Sequence, residues 1–377
     1  MEVLRAISDR FWSRHVWLPP NSTWEDVSKN DVIQHTISTD LIYPIPMALM
    51  VLVIRLVCER VMFAPLGVAL GLKNVKSKRA PPNAVLEKAY AKIKGPHTHK
   101  LIQGLSKQLD ISERQIERWL RLRRSQDRPT TLTKFCESSW RCFYYAISFT
   151  YGIYVLHDKV WFKDINHCWY NYPHQHLTND LWWYYMTNMA FYWSLTFSQF
   201  FDVKRKDFWQ MFVHHIATLL LMSFSWVCNL YRIGSLVIIV HDIADIFLDG
   251  AKAAKYANYQ RICDCIFALF TCVWIVSRLI VYPFWIIKAT SIEAPTVVEM
   301  FPAYYIFNSL LLLLLVLHIG WTYLILRIVQ NSIMAGKMDG DVRSSSSDDE
   351  FPSPITDDDL TKSNNHNSTP TKNGKLN

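Results

Sequence analysis

Apolar residues in this chain are grouped into blocks of about twenty residues, the length at which a helix crosses the hydrocarbon core of a membrane. Seven such blocks occur, at about 41–63, 140–157, 181–201, 208–228, 233–250, 262–284 and 303–329. Backbone polar groups cannot be left unpaired in lipid, so segments at this depth are predicted to be helices. The pattern therefore predicts an all-α multi-pass membrane protein with about seven transmembrane helices.

The charges of the chain are distributed unevenly. Half of the 377 residues are hydrophobic, and the formal net charge is +8. Sixteen lysines and arginines lie between residues 72 and 139, whereas the tail after residue 330 holds eight acidic and five basic residues. A basic segment beside membrane spans is typical of a topology determinant or a contact with anionic lipids. We therefore favour membrane lipids over nucleic acid as the partner of this segment.

The basic loops also predict an orientation. Lys204, Arg205 and Lys206 join the third and fourth blocks, while the loops on the opposite side carry few basic residues. The positive-inside rule then places the N-terminus in the lumen and the C-terminus in the cytosol. The sequon that begins at Asn21 falls in the lumen in this orientation, and Asn21 is a predicted glycosylation site.

The tail is predicted to be disordered, because it is rich in polar residues and has few large apolar ones. Four serines precede Asp348-Asp349-Glu350, and such acidic-flanked serines are typical of sites for acidophilic kinases. A plain solvated linker is the alternative interpretation. The predicted phosphorylation sites are Ser344, Ser345, Ser346 and Ser347.

Six ionisable residues lie inside the fourth and fifth blocks, where they are costly and mark a functional site by default. They are His214, His215, His241, Asp242, Asp245 and Asp249. Counted from the cytosolic ends of the two blocks, the histidine pair and the first two aspartates lie roughly 8–12 Å deep at 1.5 Å per residue. The aspartates follow an i, i+3, i+7 pattern on one helix face. Two antiparallel helices would bring imidazoles and carboxylates together just inside the cytosolic leaflet.

An imidazole held by a carboxylate can act as a general base or as a nucleophile that accepts an acyl group. We therefore predict His214, His215, Asp242 and Asp245 as catalytic residues, and His241 and Asp249 as substrate contacts. A metal site is the alternative, but the eight cysteines lack zinc spacing, and the remaining histidines considered are predicted to be lumenal. We predict no metal and no cofactor.

The runs KRKDFWQMFVHHIAT (204–218) and HDIADIFLD (241–249) closely resemble the Lag1 motif of ceramide synthases, within the wider TLC-domain group. The resemblance covers most of the chain and implies a TLC-type helical bundle in the endoplasmic reticulum membrane. The implied activity is transfer of a fatty acyl group from acyl-CoA, a substrate rather than a cofactor, to sphinganine or sphingosine. By position, His214 and His215 match the essential histidines, and Asp242 and Asp245 match the essential acidic pair.

Three further expectations concern the surroundings of this site, and the second of them follows from the resemblance. Lys204, Arg205 and Lys206 are predicted to meet CoA phosphates, with topology-setting charge as the alternative. The segment at about 286–303 is expected to be a lumenal loop that influences acyl-chain length. Arg278 is predicted to lie near the lumenal end of its span, where it snorkels or pairs with Asn308.

The segment 101–124 resembles the last two helices of a homeodomain. Its apolar spacing is supplied by Leu101, Leu105, Leu109, Ile116 and Leu120, with Ser112 as the predicted N-cap of the second helix. The position of the adenine-reading asparagine is Leu122, which argues against DNA binding. A regulatory module, or one that contacts a partner in a homo- or hetero-dimer, is favoured.

These features divide the chain into a lumenal segment (1–40), a first transmembrane helix (41–63), a cytosolic homeobox-like segment (66–128), a TLC domain with the Lag1 motif (130–330) and a cytosolic tail (331–377). The favoured function is an acyltransferase. The alternatives are a non-enzymatic TLC-type protein that senses or transports lipid, and a membrane-tethered transcription regulator.

Overall fold

A computed structural model describes residues 2–27, 34–72, 79–92, 99–127, 129–203 and 205–335. The regular structure in these ranges is helical and includes no β-strand, which confirms the predicted all-α class. Lys204, the four serines at 344–347 and most of the predicted tail lie outside the described residues.

The helices fall into a short N-terminal pair, a group of three before residue 128, and a bundle of long helices. In chain order they are α1 (Glu2–Phe11), α2 (Arg14–Trp17), α3 (Pro44–Cys58), α4 (Ala64–Ala69), α5 (Ala84–Lys92), α6 (His99–Leu109), α7 (Glu113–Asp127), α8 (Thr131–Leu156), α9 (Val160–Lys163), α10 (Asn179–Ser198), α11 (Phe208–Val227), α12 (Tyr231–Tyr256), α13 (Gln260–Trp274), α14 (Ala294–Val297) and α15 (Ala303–Ala335). Turns of 3₁₀-helix form Ser38–Ile42 and Ile165–Cys168, and π-helical turns form Glu59–Phe63, Ile275–Ile287 and Ala289–Glu293.

Within the described residues, four continuous helical stretches are long and apolar enough to cross a membrane, so the chain is a multi-pass membrane protein. They are Ser38–Ala69, Phe208–Val227, Gln260–Val297 and Ala303–Met334. The remaining three predicted spans correspond to α8, α10 and α12, which have 26, 20 and 26 residues. These helices bury several polar side chains, as expected of segments that face the inside of a bundle rather than lipid.

The sixth predicted span ends earlier in the sequence than the corresponding helix ends in the structure. A loop was expected from residue 286, but the helix continues through π-helical turns and ends at Val297. Pro283 lies inside this stretch. Proline has no backbone N–H, and a local change to π-helical hydrogen bonding lets the helix continue past it.

The bundle is arranged around α12, which packs along α8 and α13, while α10 packs against α3 and α11 against α15. An ionic network ties the ends of these helices together. Arg55 of α3 donates to both carboxylate oxygens of Asp202, at 2.7 and 3.0 Å. Arg141 of α8 reaches Asp202 at 3.0 Å and Glu137 at 2.8 Å. Asp202 follows α10, so this network fixes the turn that leads into α11.

The three helices α5 to α7 form a small unit with its own core of Leu86, Ile102, Leu105, Ile116, Trp119 and Leu120. Ser112 caps α7 as predicted, since its hydroxyl and Gln115 form a reciprocal capping box. Leu101 was predicted to be in the core, but it is 40% exposed and Ile102 takes its place at 5%. At the end of α7, the hydrogen bond from Arg123 lowers the pKa of Asp127.

The N-terminal helices cover the end of the bundle opposite to Asp202. Trp17 is fully buried there, and its ring lies 4.7 Å from that of Phe224 at the end of α11. Asn21 follows in an exposed turn with a φ of 67°, so its side chain is accessible at this end. Glycosylation of Asn21 and the lumenal orientation stay predictions.

Candidate active site

Helices α11, α12 and α15 and the π-helical stretch Ile275–Ile287 bring a group of histidines together inside the bundle. The ring centroids of His214 and His215 are 5.8 Å apart, and those of His241 and His318 are 5.0 Å apart. Trp321 lies between the two pairs, because its ring centroid is 5.4 Å from that of His214 and 6.4 Å from that of His318. The imidazoles predicted from the two motifs therefore share one buried cluster with His318, a residue that the sequence reasoning missed.

His215 is held by Gln199, the residue that follows α10. Its Nδ1 lies 2.9 Å from Gln199 Oε1, and Gln199 Nε2 donates to the carbonyl oxygen of Phe208 at 2.7 Å. A carbonyl oxygen only accepts, so the amide nitrogen faces Phe208 and the amide oxygen faces the imidazole. His215 Nδ1 therefore carries the hydrogen, and Nε2 has a free lone pair. His215 is buried and lines a cavity at the Asp202 end of the bundle.

His241 has a fixed tautomer as well. Its Nδ1 donates to the carbonyl oxygen of Val237 at 2.6 Å, which leaves the lone pair on Nε2. This Nε2 is buried and has no hydrogen-bond partner among the residues that the structure describes. His214 Nδ1 is likewise buried without a described partner. Buried polar atoms are normally paired, so these two nitrogens are available to a substrate.

Arg278 lies at the centre of the cluster and is 3% exposed. It donates to the carbonyl oxygen of His241 at 2.7 Å and to Asp245 at 3.1 Å, and its guanidinium lies 5.1 Å from the Trp274 ring. The predicted pairing with Asn308 is wrong, because Asn308 accepts from Thr290 and Ser291 instead. Side chains on a helix lean toward its N-terminus, which here carries the guanidinium toward Asp245.

The other two aspartates have separate partners. Asp242 is fully buried and accepts a hydrogen bond from Ser148 of α8 at 2.7 Å. Asp249 is buried and pairs with Lys252 at 3.1 Å. The structure thus places the three aspartates along α12 as predicted by their spacing, but the described partner of His215 is Gln199 and not an aspartate. The catalytic roles of Asp242 and Asp245 stay predictions.

Two cavities meet the histidine cluster from opposite sides. The cavity at the Asp202 end has an empty volume of about 730 Å³ and is lined by His215, Asp245 and the cations Arg141, Arg205 and Lys252. The second is a mainly apolar tunnel with an empty volume of about 950 Å³, which is lined by His241 and extends to Phe301. Tyr192 lines the tunnel, and its ring lies 6.5 Å from that of His215. His215 therefore faces the polar cavity, and His241 of the same cluster faces the apolar tunnel.

Of the three basic residues predicted to meet CoA phosphates, the structure describes Arg205 and Lys206. Arg205 lines the polar cavity and lies 3.5 Å from Glu137, and Lys206, the residue after Arg205, is exposed. Their predicted contact with CoA phosphates stays a prediction. No group of three or more histidine, cysteine, aspartate or glutamate side chains in the described ranges is arranged to hold a metal ion. The prediction of a metal-free, cofactor-free site also stays a prediction.

Residues 134–327 match the family model TRAM_LAG1_CLN8, described as the TLC domain. The chain is 44% identical over 343 residues to human ceramide synthase 5, covering 90% of this chain and 88% of the relative. It is 41% identical over 334 residues to mouse ceramide synthase 3, covering 89% and 87% of the two chains. The match to ceramide synthase hyl-1 of Caenorhabditis elegans is 32% over 350 residues, covering 89% and 84%.

The helical bundle and its buried histidine cluster thus define a TLC-domain membrane protein. The chain belongs to the ceramide synthase family.

Proposed function

We propose that this chain is a sphingoid base N-acyltransferase, which transfers a fatty acyl group from acyl-CoA to sphinganine or sphingosine and forms dihydroceramide or ceramide. The observation that carries this proposal is that His215 lines a polar cavity while His241, in the same histidine cluster, lines an apolar tunnel. An acyl-CoA has a polar, phosphorylated head and an apolar chain, so its thioester would lie at this junction. The relatives named ceramide synthases support the same activity.

The cations at the polar cavity suit the CoA phosphates. Arg141, Arg205 and Lys252 line the cavity, and Lys206, the residue after Arg205, is exposed. Each described cation already lies near a carboxylate, so phosphate binding would use the remaining donors of the arginines and lysines. The acyl chain would extend past Tyr192 into the tunnel and reach the stretch around Phe301. This path supports the expectation that residues 286–303 influence chain length.

Transfer proceeds in two steps in this proposal. A lone-pair nitrogen of one histidine attacks the thioester carbonyl carbon and the C–S bond breaks; the acyl-imidazolium so formed gives up its N–H proton, and CoA leaves as the thiol with that proton. The amine of the sphingoid base then attacks the acyl-imidazole, the bond to the imidazole nitrogen breaks, and the amide forms. The second histidine accepts the amine proton as a general base and returns it to the departing imidazole, which restores both histidines. Which member of the His214 and His215 pair accepts the acyl group is left to experiment.

The same proposal includes the finer topology. Seven transmembrane helices, a lumenal N-terminus, a cytosolic C-terminus and a location in the endoplasmic reticulum would place the histidine pair near the cytosolic leaflet. The homeobox-like unit α5–α7 would then lie in the cytosol as a regulatory or dimer-contacting module. DNA binding remains disfavoured by Leu122. No cofactor is required, because acyl-CoA supplies the activated acyl group.

Purified protein tests the proposal directly. In detergent or nanodiscs, the wild type should form dihydroceramide from hexadecanoyl-CoA and sphinganine, detected by mass spectrometry. The matched reaction with free hexadecanoic acid and CoA should give none, because the free acid lacks the thioester leaving group. A well-folded protein that binds both lipids but forms no amide with any acyl-CoA would favour the lipid-sensing alternative.

Replacing Gln199 by leucine should lower ceramide formation by about 10–100-fold, the typical cost of losing a partner that orients a histidine. The leucine cannot accept the hydrogen of His215 Nδ1, so the tautomer with a free Nε2 is no longer favoured. Turnover with hexadecanoyl-CoA and sphinganine measures the effect.

The Gln199→Glu variant is the control for this residue, because it retains an acceptor beside Nδ1 and adds a negative charge. It should keep more activity than Gln199→Leu, and the acid limb of its pH–rate profile should move to higher pH, since the added charge favours the imidazolium. Equal turnover in Gln199→Leu and the wild type would rule out this positioning role.

A further inference from the structure

We propose that Gly234 of α12, with Tyr185 and Ser225, forms a constriction in the tunnel that decides whether a long acyl chain can pass. This inference rests on the proposed acyl transfer and assigns a specificity role to residues that lie outside the two sequence motifs. All three residues line the tunnel, and each comes from a different helix of the bundle.

Gly234 is needed for the close approach of α10 to α12 at this point. A Cβ at position 234 would overlap the hydroxyl oxygen of Tyr185 and would lie 3.1 Å from two of its ring carbons. The Tyr185 hydroxyl is hydrogen-bonded to Ser225 Oγ on α11. These contacts fit the tyrosine hydroxyl into the space that a glycine leaves free.

The ring of Tyr185 has little room to withdraw from such a Cβ. It is 1% exposed, and its other neighbours include the fully buried Trp226, whose ring centroid is 5.1 Å away. Protein interiors are close-packed, so added volume at position 234 must displace a neighbour. Tyr185 and Gly234 both line the tunnel, so in this proposal a Tyr185 ring displaced from Gly234 narrows the tunnel at this level.

The depth of the constriction sets which substrates would be affected. Gly234 is seven residues from His241 along α12, which corresponds to about 10 Å at 1.5 Å per residue. The tunnel continues beyond this point to Leu230, Tyr172 and Phe301. A short acyl chain attached near the histidines would end at or before the constriction, whereas a long chain must pass through it.

The Gly234→Ala variant tests the proposal with octanoyl-CoA and hexadecanoyl-CoA, each with sphinganine. The ratio of kcat/KM for the long chain to that for the short chain should fall at least about tenfold relative to the wild type, the order expected when a methyl group obstructs an apolar site. The octanoyl reaction should be retained. Adding Tyr185→Phe, which removes the overlapping hydroxyl, should restore much of the hexadecanoyl reaction.

Gly152→Ala is the matched control. A Cβ at position 152 would lie 2.7 Å from the hydroxyl oxygen of Tyr184, a similar overlap between a helix glycine and a tyrosine, but neither residue lines the tunnel. Its chain-length ratio should equal that of the wild type, whatever happens to total turnover. If Gly234→Ala does not accumulate as folded protein, Ser225→Val adds volume to the tunnel lining from α11, beside the Tyr185 hydroxyl, and should lower the same ratio.

The acyltransferase function and the constriction are contradicted by different results. A folded wild type that transfers no acyl group from octanoyl-CoA, hexadecanoyl-CoA or any longer acyl-CoA would overturn the proposed function. A wild type that transfers both, with a Gly234→Ala or Ser225→Val variant whose chain-length ratio is unchanged, would overturn the constriction while leaving the acyltransferase intact.

Discussion

Replacing His215 by alanine is expected to lower ceramide formation by about 10²–10⁴-fold, the usual contribution of a positioned acid–base group. The imidazole is buried, is clamped by Gln199, and has its free lone pair on the ring nitrogen opposite to that clamp. Alanine removes both the lone pair and the orienting hydrogen bond. Turnover with hexadecanoyl-CoA and sphinganine, measured beside thermal unfolding in the same detergent, separates a catalytic loss from a folding defect.

His157→Ala is the control for this substitution, because His157 is exposed at the C-terminal end of α8, away from the histidine cluster. It should retain near-normal turnover. If His214→Ala and His215→Ala proteins were both folded and both kept near-normal turnover, the histidine mechanism would be wrong.

Removing Arg278 is expected to have the largest effect on stability. The Arg278→Met variant leaves the Asp245 carboxylate and the His241 carbonyl without their described donor inside the bundle. Loss of one partner of a buried ion pair typically costs about 3–5 kcal/mol. Thermal unfolding of the purified variant, compared with the wild type at one detergent concentration, measures the loss.

The Arg278→Met/Asp245→Leu double variant separates stability from catalysis. It replaces both charges by apolar side chains, so most of the lost stability should return. Ceramide formation should stay low, because the proposed site would still lack the Asp245 carboxylate. Recovery of both stability and turnover would show that Asp245 serves only the fold.

The helices that carry the site could be predicted from the sequence with small errors. The block predicted at 208–228 is α11 (Phe208–Val227), because an apolar segment of this length has few other ways to satisfy its backbone. The block at 233–250 is extended to Tyr231–Tyr256, since polar and charged residues at its ends continue the helix beyond the apolar part. Equal depth on antiparallel helices was enough to place His215 and Asp245 at one cavity.

The contacts within the site could not be predicted in the same way. Gln199 reaches His215 only because the turn between α10 and α11 folds back and offers the Phe208 carbonyl as its second partner. The sequence predicted the position of Arg278 from the depth of its Cα in the span. The position of the Cα does not show that the long side chain extends along the helix and reaches Asp245. His318 joins the cluster because α15 packs against the other helices, and no local pattern in the sequence predicts that packing.

Two further differences have simple physical reasons. In α6, Leu101 and Ile102 are both apolar, and apolar spacing alone does not fix which of two neighbours faces the core. At residues 286–297, the family resemblance suggested a loop, whereas π-helical turns keep the backbone hydrogen-bonded and the helix ends at Val297. The tunnel, lined from several helices, is a property of the packed bundle and was not visible in any single segment.

The most direct test of the histidine mechanism is the mass of the protein after incubation with hexadecanoyl-CoA and no amine, followed by peptide mapping. We predict one added hexadecanoyl group on the α11 peptide, at His214 or His215, which disappears as dihydroceramide forms when sphinganine is added. The adduct should be absent from the alanine variant of the accepting histidine. An acyl group on a residue outside this pair, which is passed to sphinganine at the rate of turnover, would contradict the mechanism.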